Sequence, residues 1–461
     1  MKTYKKLALA LAVTGLVACE SKLELLPEDS QSVEQVFASE AGVRGAVTGL
    51  YSLSQQDDVL NGTSTLLSEW QADNIDFVGS FPTFNDVRTY TTLSDNGSVF
   101  SIYDDNYEVI GAANNIIAFV PGVEDATFAD ETRNQFIAEA KFLRALTYFK
   151  LANLFGQPLQ IGGASSLSVP LVTEPTIISG IEFPQRATLG EVHTQIEQDL
   201  VDAIAVLNND DNSRATKGAA QALLARLYLY QERFAEAATL ANDAITNPEF
   251  ELASDYGFYD TQSSEFFFTL VNTGADGQDS GQGFSGLTNP APAGRGDAPF
   301  SDNLIAAYEE EADDARFLLT QTGTSATGED RLFTSKFPDG NNNSDNAPVL
   351  RVTEAYLTRA EANFRNGSSI GASALTDIND LRDRAGLPAL TSLTLDNILN
   401  ERRKELAFEG QRRMDLLRNN LSLRRPGMPQ EAESAAGANK TILPIPAREV
   451  ELSGLTQNTG Y

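Results

Sequence analysis

Aromatic rings interleaved with hydrogen-bonding side chains are the residues of this chain best suited to chemistry. Between positions 68 and 100 stand Trp70, Phe81, Phe84 and Tyr90, and among them Asp73, Asn74, Asn85 and Arg88; Phe284 and Arg295 repeat the pairing further on. A ring face laid over a sugar, with carboxylate, amide and guanidinium groups at its rim, gives weak but geometry-specific recognition of an oligosaccharide. These ten residues are the candidate ligand-binding set. Aromatics beneath long loops also fill cores, and Phe266 to Phe268 read as a buried strand. Trp70 is the only tryptophan, sparse for a glycan platform, which leaves room for a peptide or another small nutrient.

Other chemistries find little support. A glycosidase needs two carboxylates held about 5 to 9 Å apart across a cleft, and no acid motif marks such a pair. There is no nucleophile elbow, no HExxH and no cofactor fingerprint, so the chain reads as a binding protein and not an enzyme. The run from Asp339 to Asp345 has Ser344 where a calcium loop needs glycine and Leu350 where it needs its bidentate glutamate, so a turn is expected and no metal. The glycine-rich GADGQDSGQGFSG lacks the lysine of a phosphate loop. The single histidine, His193, follows a Thr188–Glu191 capping box on a predicted helix and belongs at a surface or core edge.

Composition sets the frame. The 461 residues are 41% hydrophobic, enough for a large core, and carry 34 basic against 64 acidic side chains, a formal charge of −30. Nucleic acid is excluded as a partner, because neutralising phosphates takes clustered lysine and arginine. At the N-terminus Lys2, Lys5 and Lys6 precede a short apolar run, Leu7 to Val17, which reads as a signal peptide over residues 1–18. It ends in Leu16-Val17-Ala18-Cys19, similar to a bacterial lipobox, and Cys19 is the only cysteine. Lipidation at Cys19 would anchor the chain to a membrane, with residues 19–32 as a polar tether.

The elements that must position the ten residues are helical. Amphipathic periodicity marks helices near 106–155, 188–248 and 353–418, with loop-rich regions at 68–100 and 250–345. Ala215 to Pro248 fits a tetratricopeptide unit, with Ala225, Tyr228, Phe234, Ala237 and Ala244 at the expected offsets; a weaker copy starts at Tyr356 with Ala360 and Ala372. Ile398 to Arg418 reads as one charged helix, with Glu401–Lys404, Arg402–Glu405 and Glu409–Arg412/Arg413 pairs along it. Gly410 within that run points to close packing, with the charges wedged between other elements.

Several of these stretches carry a resemblance. ERRKELAFEGQRRMDLLR, EAKFLRALTYFKLANLFG, YEVIGAANNIIAF, RVTEAYLTRAEA with INDLRDRAGLPAL, and the tail ILPIPAREVELSGLTQNTGY resemble the SusD/RagB family of nutrient-binding outer-membrane lipoproteins. The resemblance implies a mainly α, SusD-like domain over 33–461, a tetratricopeptide-like helical-pair scaffold carrying a loop-rich, irregular ligand-binding subdomain. It implies a cell-surface protein of the outer membrane, held by its lipid anchor, that captures an oligosaccharide and caps a SusC-like TonB-dependent transporter. The RagB branch implies a peptide ligand instead. Family ligand contacts map here to Ser68–Phe100 and Tyr256–Phe300, and no cofactor is implied.

Overall fold

Helix starts are written residue by residue. Ser32 with Gln35, Thr188 with Glu191 and Thr394 with Asn397 form reciprocal capping boxes, and Ser39, Asn96, Thr216, Ser301 and Ser373 each accept a backbone N–H of the first turn. Each such cap stabilises its helix by about 1 kcal/mol. The computed structural model describes residues 32–176, 183–259, 261–277 and 281–461. The signal segment, Cys19 and all of the tether except Ser32 lie outside the described residues.

The scaffold is a succession of packed helices, and the mainly α expectation holds. Gly97–Phe119 packs on Asp130–Phe155, which packs on Leu189–Ile204; Lys217–Tyr230, Phe234–Ile245, Val352–Asn366 and Ala374–Arg384 follow in turn. The tetratricopeptide reading of Ala215–Pro248 describes the hairpin Lys217–Tyr230 and Phe234–Ile245, where Ala219, Ala220, Ala225, Ala237, Ala241 and Ala244 are buried and let the backbones approach closely. In the weaker copy Ala360 is buried in its helix, but Ala372 falls in the turn before the Ser373 cap, so the twelve-residue spacing does not carry over. Among the described residues no helix is long and apolar enough to cross a membrane.

Three antiparallel two-stranded sheets complete the described fold: Leu167–Pro170 with Arg186–Thr188, Phe266–Leu270 with Ala347–Arg351, and the hairpin Thr320–Thr324 with Asp330–Thr334. Phe266 to Phe268 are indeed a buried strand, and Asp339–Asp345 is a turn closed by Asn342 and Ser344 on the Asp339 carboxylate.

Two expectations are corrected. The stretch 68–100 is not all loop: Thr63–Gln71 and Pro82–Arg88 are helices, and Gly97 opens the next. Pro82 sits at the first helical position, where its missing N–H costs nothing. The single charged helix is two, Leu395–Leu406 and Arg412–Leu417, because Phe408 (φ 70°) and Gly410 (φ 77°) turn the chain left-handed between them. With the break, the expected pairs along one helix give way to other partners: Glu401 meets Arg316 and Arg382 and Glu409 meets Lys336 and Arg351, all from distant segments, while Arg402 reaches across the turn to Asp415. The charges are wedged between elements, as Gly410 suggested.

Candidate functional site

The Thr63–Gln71 helix and the turn after it deliver Glu69, Asp73 and Asn74 into the interior, where the Leu395–Leu406 and Arg412–Leu417 helices, the turn between them and Arg425 beyond them seize them. Asp73 is fully buried and accepts from Arg412 Nε (2.6 Å) and Nη2 (2.9 Å) and from Arg425 Nε (2.5 Å), with Arg403 Nη2 at 3.4 Å. Burial pushes its pKa up, but the Arg412, Arg403 and Arg425 guanidiniums outweigh it and hold the carboxyl well below the usual carboxylate range. Asn74 Nδ2 donates to Glu69 (2.7 Å) and its oxygen accepts from Arg403 Nε (2.8 Å). Glu69 also accepts the Gly410 N–H at 2.9 Å, yet burial raises its pKa. Tyr90 donates to the Gln71 carbonyl at 2.5 Å, and burial pushes its phenol up to about 12. Asp73, Asn74 and Tyr90 therefore hold the segment in place from within.

Beneath the surface lies a stack of rings. Trp70 is buried against Phe77 (5.0 Å between centroids) and Phe84 (5.2 Å), and Phe84 carries Phe81 at 4.8 Å. Phe81 is 42% exposed. The outermost ring thus rests on a rigid aromatic base, and Trp70 and Phe84 serve as that base. Phe284 is likewise interior, 4.5 Å from Phe337.

Four of the ten candidates meet at the surface. Phe81, Asn85 and Arg88 follow one another at helical spacing along Pro82–Arg88, and the Arg295 guanidinium lies 5.3 Å from the Phe81 ring centroid. Arg88 donates through Nε and Nη2 to Asn85 Oδ1, at 3.2 and 3.0 Å. Arg295 Nε donates to Asp297 at 2.6 Å. Backbone pairing of Asp76 and Val78 with Pro299 and Asp297 ties the two regions edge to edge, at 3.0 and 2.8 Å. Sequence reading missed Asp76, Asp297 and Arg331, the last of which donates to Asp76 at 3.0 Å from the Asp330–Thr334 strand. It also missed Arg424, which donates to the carbonyls of Trp70 (2.7 Å) and Arg88 (3.3 Å). No local pattern could have found contacts that join residues more than two hundred positions apart. This face offers an apolar ring for C–H surfaces and amide and guanidinium donors for oxygens. Among the described residues no group of three or more histidine, cysteine or carboxylate side chains is arranged to hold a metal.

The chain aligns over its whole length, and over the whole of its relative, with SusD-like protein P2 of Formosa agariphila at 30% identity across 523 residues. This chain belongs to the SusD family. The family model described as SusD family matches residues 331–461, and one described as starch-binding associating with outer membrane matches 23–229. The SusD fold extends to solved structures. A SusD superfamily protein from Bacteroides thetaiotaomicron superposes with a TM-score of 0.81 at 26% identity, covering 91% of this chain and 99% of that one. A laminarin-binding SusD-like protein superposes at 0.73 and 27%, covering 92% and 100%. Arg403, Arg412 and Arg425, which clamp Asp73, fall inside the first matched region, and Phe81, Asn85 and Arg88 inside the second, while Arg295 lies between the two.

Proposed function

We propose that this SusD-family chain is a non-catalytic, cell-surface lipoprotein that captures an oligosaccharide and passes it to a SusC-like TonB-dependent transporter. The observation that carries the reading is the exposed Phe81 ring, backed by Phe84 and Trp70 and flanked by Asn85, Arg88 and Arg295. A fixed ring with donors at its rim recognises a sugar without needing an acid–base pair. The laminarin-binding relative and the starch-binding, outer-membrane description of the N-terminal match support a glycan as the ligand class.

Calorimetry of the lipid-free chain against laminarin and starch oligosaccharides tests it. Phe81→Ala should weaken binding by about two- to tenfold, the scale of a lost ring contact of about 0.5–1.5 kcal/mol, with the melting temperature nearly unchanged. Trp70→Ala should instead lower stability by about 3–5 kcal/mol. Release of shorter products would point to an enzyme, and binding of peptides alone to a peptide carrier; either would sink the proposal. Anchoring has its own check. Cys19→Ala should leave the precursor unprocessed or move the chain to the soluble fraction, and normal membrane fractionation of that variant would refute lipidation.

A further inference from the structure

We infer that the oligosaccharide taken by the Phe81 face carries anionic substituents, sulfate or carboxylate, bound by the Arg88 guanidinium while Phe81 stacks on a sugar ring. The inference rests on the capture reading above and names the ligand class for the same face.

The charge arrangement there runs against that of the chain. A protein with 34 basic and 64 acidic side chains has carboxylates to spare, yet among the described residues Arg88 and Arg424 form no ion pair with any of them. Arg88 spends two donors on a neutral amide oxygen, that of Asn85. Arg424, buried directly behind it, donates to the carbonyls of Trp70 and Arg88, and its Nε has no hydrogen-bond partner among the described residues. The nearby carboxylates are already engaged, Asp76 by Arg331 and Asp297 by Arg295. Asp86 lies two positions before Arg88, roughly 200° around the helix and so on another side of it. Four guanidiniums, those of Arg88, Arg295 and Arg331 at the surface and of Arg424 buried behind Arg88, therefore stand against three nearby carboxylates, Asp76, Asp86 and Asp297.

Distance protects the local excess. Charges farther than a Debye length of about 8 Å are screened at physiological ionic strength, so the acidity elsewhere does not cancel it. Partial burial and then the neighbouring Arg424 press Arg88 below the ordinary arginine pKa, with Asp76 opposing. A cation held beside a like charge gains from an incoming anion, and the planar fork of arginine matches sulfate and carboxylate oxygens. A ligand bearing only hydroxyls would be served by neutral donors and would leave this excess unanswered.

The test compares three probes by calorimetry on the lipid-free mature chain: neutral β-glucan oligosaccharides, sulfated galactan oligosaccharides and oligogalacturonates. At least one charged series should bind more tightly than the neutral one, and its affinity should fall as sodium chloride rises. Arg88→Gln should weaken the charged ligand by about ten- to a hundredfold, the scale of a lost charge-assisted hydrogen bond, and the neutral one by a smaller factor, so that the preference for charge narrows. Arg88→Lys should recover part of the loss, and unchanged melting temperatures would keep folding out of the comparison. Sulfate-selective or carboxylate-selective binding each supports the inference and says which group is held. Neutral oligosaccharides binding as tightly as charged ones, or Arg88→Gln leaving charged ligands unaffected, overturns it while capture by Phe81 stands. Failure of all three probes to bind overturns the capture reading itself.

Discussion

Two clusters of buried charge flank the Phe408–Gly410 turn, and they are built to different rules. On one side, Glu265, Glu311, Asp314, Glu401, Glu405 and Glu409 interlock with Arg316, Lys336, Arg351, Arg382, Arg384 and Lys404, six acids with six bases. On the other, Arg403, Arg412 and Arg425 converge on Asp73 alone. The arginines respond accordingly. Burial works against the charge of Arg316 and Arg351, but the glutamates around them raise both well above the ordinary value. Burial brings Arg403 down to about 10, with Asp73 opposing and Arg412 and Arg425 adding to the fall, while Arg412, bound to both Asp73 oxygens, is raised. A balanced lattice holds helices together. An unbalanced one holds a single segment, and that segment leads to the Phe81 face.

The sharpest way to break this comparison is to remove one acid from each cluster. Asp73→Asn should cost about 3–5 kcal/mol or more in urea unfolding, because it strands three guanidiniums at once. Glu405→Gln should cost about 3–5 kcal/mol, since Arg316, Arg351 and Arg384 keep other partners. A smaller loss for Asp73→Asn than for Glu405→Gln would mean that the cluster around Asp73 is compensated in another way. Gly410→Val attacks the turn between the clusters. Its φ is 77° and a Cβ there would stand 2.7 Å from Thr65 Cγ2, so strain and overpacking together should remove about 2–4 kcal/mol. A loss of only a few tenths would show that the turn yields easily.

The smallest effect lies away from both clusters. Burial lowers the pKa of His193 from 6.5 to about 4, so the folded chain keeps it neutral where the unfolded chain takes up a proton. Its contribution to stability is present above the unfolded pKa and is lost as pH falls from about 6.5 toward 4. The drop in melting temperature over that window should be smaller in His193→Gln than in the parent chain; an equal drop would place the acid sensitivity in the carboxylate clusters.

Local signals made much of the fold legible. The capping box at Thr188, the alanine offsets around Ala225 and Ala237, and the run Phe266–Phe268 each specify their element from neighbours in sequence, and each element forms. The same logic failed at Ile398–Arg418. There charges at helical spacing mimic pairs along one helix, but burial makes long-range partners worth more than the few tenths of a kcal/mol of a surface pair. The candidate set divided for a related reason. Aromatic and polar residue types mark both an exposed face and the base beneath it, and only packing tells Phe81 from Trp70 or Asn85 from Asn74.

Asp73 and Arg412 are 339 positions apart, and that separation has a consequence for the order of assembly. As the chain emerges from its N-terminus, the segment leading to Phe81 arrives early and its counter-ions arrive last. Until Arg403, Arg412 and Arg425 dock, burying Asp73 strands a charge, so the segment stays unset while most of the helical scaffold is already available to fold. Long-range closure of this kind is slow. The Phe81 face is therefore completed only when the segment that carries Arg403, Arg412 and Arg425 docks, so a truncated chain lacking that segment would keep its aromatic residues but lose the frame that presents them.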